Sequence, residues 1–112
     1  MDVLHTTITN NTLLIPLSEL EGKESLIVKS KSSEYDIAMI KQKSEEWKAL
    51  LMMCTHQSNP VHFDGDSFRC KVHFSEFNKD GIPFSGPARK PLIALAIQKR
   101  KDHYQIDIPV DN

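Results

Sequence analysis

The chain of 112 residues has only two cysteines, too few for a disulfide framework. Its four glycines form no phosphate-cradling run, so no P-loop and no flavin or nicotinamide fingerprint is present. There is no Ser/His/Asp set either, and nothing suggests that the chain turns over a substrate alone. No apolar run approaches the roughly 18 residues of a membrane span; the longest covers residues 49–53. The first residues lack a basic start followed by an apolar stretch, so no signal peptide is visible. Neither sign of charge dominates: 14 Lys and Arg face 15 Asp and Glu, for a net charge of −1. Phosphate binding needs a basic surface, which argues against nucleic acid as a main partner. The expected setting is cytoplasmic. It is periplasmic or membrane-anchored if an N-terminal signal has been removed.

A hydrophobic fraction of 39% and a charged fraction of 26% describe a globular chain, and its length suits one domain, 1–112. The polar first eleven residues are expected to be loosely held, with His5 exposed. Residues 12–17 form a short apolar stretch broken by Pro16, which predicts an edge strand. Strands are expected next at 25–29 and 35–40. Residues 47–53 fit a helical stripe through Trp47, Leu50, Leu51 and Cys54, but their length and their strand neighbours favour a buried strand. Trp47, Met52 and Met53 read as packing residues. The stretch 55–63, with Asn59 and Pro60, reads as a loop. Turn signals at 64–66 and 78–81 separate short strands at 67–70, 75–77 and 82–84. Residues 85–88 form a small rigid loop, 92–97 an apolar strand, and 98–102 a charged turn. Over 103–110 the chain alternates, with Tyr104, Ile106 and Ile108 on one face. Many short strands with frequent turns predict an all-β fold, an antiparallel β-sandwich or small barrel.

The chemistry-bearing residues are concentrated in one stretch. Both cysteines lie in a pattern of Cys54-Thr55-His56 and Cys70-Lys71-Val72-His73. Thiolate and imidazole together suit zinc or iron–sulfur. Four ligands on one zinc would make a closed structural tetrahedron. Alternatively, two cysteines hold one iron and two histidines the other, with bridging sulfides. A disulfide between the cysteines is a third possibility, but it would leave the paired histidines without a reason.

The segment from Cys54 to Leu95 resembles the Rieske family. Cys54-Thr55-His56 is similar to its first ligand loop and Phe68-Arg69-Cys70-Lys71-Val72-His73 to its second. The stretch 75–81, then Ser85-Gly86-Pro87-Ala88 and Pro91-Leu92, is similar to the segment after the family's second loop, in which a Pro-containing loop covers the cluster. The resemblance implies a [2Fe–2S] cluster with Cys54, His56, Cys70 and His73 as metal ligands, and Ser75, Gly86 and Pro87 as further cluster-binding residues. Replacing two thiolates by neutral imidazoles leaves such a cluster about two charge units less negative and raises its potential. The implied fold is a base of strands from about 12–53 and 90–110 with a cluster-binding subdomain of about 54–89 inserted. Quinol-oxidising members add a cysteine to each loop and cross-link them. The matching positions here are Asn59 and Val72. Phe74 stands where the family has glycine, which puts the shape of the second loop in doubt. Ser75 stands where those members place a hydroxyl donor to a bridging sulfide, and Phe77 where they place a tyrosine donor to a cysteine sulfur. One donor kept and one lost implies a potential between the low dioxygenase type and the high quinol-oxidising type.

The function implied is a Rieske-type ferredoxin, a one-electron carrier between a reductase and an oxygenase or another redox enzyme, and not itself an enzyme. The rivals are the Rieske subunit of a larger membrane-associated complex and a zinc-stabilised binding module without redox role. His62 and His103 read as surface residues. Arg89-Lys90 and Lys99-Arg100-Lys101 read as solvated turns, with docking to an acidic redox partner as the alternative.

Overall fold

A computed structural model describes residues 2–109. Among these, twelve strands form three sheets. The five-stranded central sheet has the order β1-β3-β4-β5-β10, from Val3–His5, Ser25–Lys29, Ile37–Lys41, Trp47–Leu51 and Ala94–Leu95. The three-stranded sheet has the order β11-β12-β2, from Ile97–Lys99, His103–Asp107 and Thr12–Pro16. The four-stranded sheet runs β6-β7-β8-β9 in chain order, from Val61–Phe63, Ser67–Cys70, Glu76–Asn78 and Pro83–Ser85.

The apolar pattern explains why the sheets stack. Successive strand side chains point to opposite faces, and both faces of the central sheet are buried. Ile27, Ala38, Ile40, Leu50 and Met52 join Val61, Phe63, Phe68, Phe77, Ala88 and Leu92 in one core that meets the four-stranded sheet. Leu26, Val28, Ile37, Met39, Trp47 and Ala49 join Leu13, Ile15, Tyr104 and Ile106 in a second core against the three-stranded sheet. A strand covered on both sides must be apolar at consecutive positions, hence the unbroken runs Leu26-Ile27-Val28 and Ile37-Ala38-Met39-Ile40. The outer strand β12 is covered on one side and alternates instead.

The all-β architecture holds, and residues 47–51 form a strand, not a helix. Other expectations change. The N-terminus is not loose throughout: β1 pairs in parallel with β3, because the Asp2 carbonyl and Thr6 N–H can extend the ladder to Ile27 and Lys29. Residues 61–63, expected in a loop, form β6 and pair with β7. The alternation buried-exposed-buried of Val61, His62 and Phe63 is the strand signal that Asn59-Pro60 obscured. The apolar run 92–97 is not one strand. It divides at Ala96 into β10, which pairs with β5, and β11, which pairs with β12. This step carries the chain from the central sheet to the three-stranded one. Val110, the expected end of the last strand and of the base, lies outside the described residues.

The cores make a contrast that can be measured. Leu50 is 1% exposed and Leu14, on the outer face of β2, 51%. Leu50→Ala is expected to cost about 2–5 kcal/mol, transfer and cavity together, and Leu14→Ala within about 0.5 kcal/mol of nothing. Denaturant unfolding midpoints of the two variants check this.

Candidate functional site

Strand β5 delivers Cys54 to the first loop, whose base is closed by a bridge between Met53 and Pro60. Inside the loop the Ser58 N–H donates to the Cys54 carbonyl at 2.8 Å, and the Cys54 N–H donates to the Asn59 carbonyl at 2.7 Å. Ser58 sits at φ 59°, left-handed backbone that costs a side-chain-bearing residue about 1–2 kcal/mol.

Strand β7 ends on Cys70, and the second loop repeats the first. The Phe74 N–H donates to the Cys70 carbonyl and the Cys70 N–H to the Ser75 carbonyl, both at 2.9 Å. Phe74 sits at φ 63°. Ser58 and Phe74 are thus equivalent positions, each four residues after its cysteine. The doubt raised by Phe74 is resolved: it adopts the backbone conformation that glycine takes most easily, and its ring stands 60% exposed with the Arg69 guanidinium 5.8 Å from its centre.

The two loops sort their side chains by depth. Cys54 and Cys70 are buried, free thiols within the core shared by the central and four-stranded sheets. His56 and His73 are exposed. Their rings approach edge to face, with centres 5.2 Å apart and planes at 89°. The pairs meet although one histidine follows its cysteine by two residues and the other by three.

Residues 85–88 close over the second loop. A Cβ at Gly86 would stand 2.6 Å from Ser75 Cα and 2.7 Å from the Phe74 carbonyl oxygen, and φ there is 87°. Only glycine fits that contact. Pro87 follows, and the Ala88 N–H donates to Ser75 Oγ at 3.1 Å. Ser75 is the buried polar residue of the described chain. Its oxygen accepts this bond, and its hydroxyl proton has no protein acceptor among the described residues.

Two further residues hold the first loop. Tyr35 Oη donates to the Ser58 carbonyl at 2.6 Å, and Thr55 Oγ1 donates to the Lys90 carbonyl at 2.6 Å. Neither role was legible in the sequence. Tyr35, expected at the start of a strand, lies in the bend before β4, 23 residues from Ser58, and no local pattern marks it. The remaining histidines are elsewhere. His62 points outward from β6, across from Arg69, and His103 Nδ1 pairs with Asp102 at 2.8 Å, holding that carboxyl below its ordinary range. Neither Asn59 nor Val72 can provide a cross-link, and these hydrogen bonds tether the first loop. Tyr35→Phe removes a bond worth about 1 kcal/mol. It is expected to speed amide hydrogen exchange at Cys54 and Ser58 by about fivefold, measured residue by residue.

The Rieske [2Fe-2S] domain family matches residues 10–99. A carotenoid phi-ring synthase of Chlorobaculum tepidum is 33% identical over 63 residues, 54% of this chain and 10% of that protein's length. Among solved structures, the cyanobacterial plasma membrane Rieske protein of Synechocystis PCC 6803 superposes with a TM-score of 0.64 at 22% identity, covering 83% of this chain and 95% of that one. A chain from the complex of reduced oxygenase and oxidized ferredoxin in carbazole 1,9a-dioxygenase gives 0.58 at 20%, covering 88% and 94%. These two likenesses are of fold. The residues present fit an iron–sulfur group. The pocket presents two buried cysteine sulfurs, which a metal could draw as ligands, and a buried serine hydroxyl for whose proton a bridging sulfide would be an acceptor. This chain belongs to the Rieske [2Fe–2S] domain family, with a Rieske-type cluster as its cofactor and electron transfer as its role.

Proposed function

We propose that the protein is a Rieske-type ferredoxin, passing one electron at a time between a reductase and an oxygenase or other redox enzyme, in a cytoplasmic setting and without catalysis of its own. Cys54 and Cys70 would hold one iron, and His56 and His73 the other. The segment 54–89 is the cluster-binding part, and the described strands within 12–53 and 90–109 are its base. The observation that carries the reading is the twin-loop geometry: equivalent backbone turns bury two thiols and expose two imidazoles side by side. A single zinc ion would draw four side chains to one point. Among the described residues no three His, Cys, Asp or Glu side chains converge in that way, whereas a two-iron cluster asks only two side chains of each kind.

The cluster supplies a one-electron couple. The chain's residues set its conditions. The core around Cys54 and Cys70 excludes water, the exposed imidazole edges of His56 and His73 would give an electron its route to the surface, and the Gly86 contact keeps the cover loop seated. With a cluster bound, the Ser75 hydroxyl would be free to donate to its sulfur, which would favour the more negative reduced state. Phe77, wholly buried, has no proton to donate, and the potential accordingly falls between the low and high types.

Protein purified without oxygen is expected to contain two irons and two acid-labile sulfides, with a visible spectrum that bleaches on reduction. Alanine at Cys54, His56, Cys70 or His73 abolishes that spectrum, while alanine at His62 or His103 leaves it. One zinc and no sulfide would end the redox reading. For Ser75→Ala, a lost donor bond that differs by about 1–2 kcal/mol between the two redox states corresponds to a midpoint potential lower by about 40–90 mV, at 59 mV per tenfold for one electron. Redox titration of the loaded variant measures it, and an unchanged potential refutes the role of Ser75.

A further inference from the structure

The register of the four-stranded sheet separates its charges. Val61 pairs with Cys70 and Phe63 with Phe68, so the 64–66 turn lies at the end away from Cys70. Ser67 pairs with Asn78, which places the 79–81 turn at that same far end. Asp64, Asp66 and Asp80 belong to these far turns, with Lys48 paired to Asp80 at 3.3 Å. At the other end stand the two Cys/His loops and the cover segment. Residues 54–60, 70–75 and 85–91 contain none of the chain's fifteen acidic residues. They contain Lys71, Arg89 and Lys90, all exposed and without an ion-pair partner among the described residues. The Thr55 bond to the Lys90 carbonyl sets Lys90 beside the first loop, and Arg89 folds back with its guanidinium donating to the Gly86 carbonyl at 3.4 Å. Arg69 adds a further cation over Phe74, partly balanced by Glu76 at 3.7 Å.

Apolar surface accompanies these cations. Val72 is 54% exposed, and Phe74 and Phe84 are each 60% exposed. Large apolar side chains held in water around an exposed functional edge mark an interaction surface. A partner must approach His56 and His73 here, because the thiols lie on the buried side.

Resting on the electron-carrier reading above, we infer that this end of the molecule docks a redox protein whose contact face is acidic around an apolar centre. Lys71, Arg89 and Lys90 steer that face and orient it, and Val72, Phe74 and Phe84 exclude water from the contact. Complementary charge raises the encounter rate and suppresses wrong orientations, and salt weakens both effects. The chain's net charge of −1 would by itself favour a basic partner, so the surface and the whole molecule make opposite forecasts.

Direct voltammetry of the cluster-loaded protein on gold coated with carboxylate-terminated or amine-terminated monolayers separates them. At low ionic strength, electron exchange is expected to be at least about tenfold faster on the carboxylate surface, and the advantage is expected to fade as salt rises. The triple variant Lys71→Glu, Arg89→Glu and Lys90→Glu reverses the preference. The neutral triple variant to Gln, used also if the acidic one fails to load its cluster, abolishes it. A control at Lys99, Arg100 and Lys101, each to Glu, makes the same change of net charge at the end of β11 and in the turn that follows it, and keeps the preference. Equal rates on the two surfaces, or a reversal by the control as well, overturn the inference while iron and sulfide counts leave the carrier reading standing. A preparation without iron and sulfide overturns both.

Discussion

Each Cys/His loop must bury a thiol and expose an imidazole within three residues, and the rest of the molecule is arranged around that demand. A strand end can bring a cysteine into a core, but the chain must then reverse at once to reach water. Both loops do so by the same means. A carbonyl accepts from the residue four positions on, an N–H donates to the carbonyl five positions on, and a left-handed residue makes the reversal. Ser58 and Phe74 occupy that left-handed position at a cost of about 1–2 kcal/mol each. The cost is sustained because the loops are over-determined by contacts from outside: Tyr35 and Lys90 on the first, the Gly86 to Ala88 segment on the second.

The packing follows from the same demand. The two cysteines belong to the core between the central and four-stranded sheets, so that core must be dry and continuous up to the loops. Phe63, Phe68 and Phe77 make it so, with the first two rings stacked at 4.5 Å. The other core, between the central and three-stranded sheets, contains neither cysteine. Its contribution is to make the central sheet a rigid wall, buried on both faces, on which β5 can present Cys54.

The absence of cross-linking cysteines changes how the loops are held. A disulfide between loops would restrain both at once. Here the restraints are separate and reversible: two short hydrogen bonds onto the first loop, and one backbone contact and one serine bond onto the second. Ser75 serves two purposes, since its oxygen ties down the cover segment while its proton stays available. Thr55 likewise stands between the first Cys and His and links them to Lys90. The cation there is therefore set beside the exposed edge by the same bond that steadies the loop.

Much of this was legible before the fold was seen. The Cys/His spacing, the Gly86-Pro87 segment and the succession of short apolar stretches are local facts. They determined an all-β chain, a pair of loops with metal-binding chemistry, and a family resemblance. Periodicity also showed which strands face water on one side, as in β12. Tertiary structure alone decided the remainder, for reasons that are non-local. The pairing of β1 with β3 depends on a free edge 24 residues along the chain, and the division of 92–97 on which sheet each half can reach. The equivalence of loops with different Cys–His spacings lies in backbone bonds, which side-chain order does not record. Tyr35 reaches Ser58 because two turns meet in space. The gathering, at one end of the molecule, of cations that have no ion-pair partner among the described residues comes from strand register, which composition averages away.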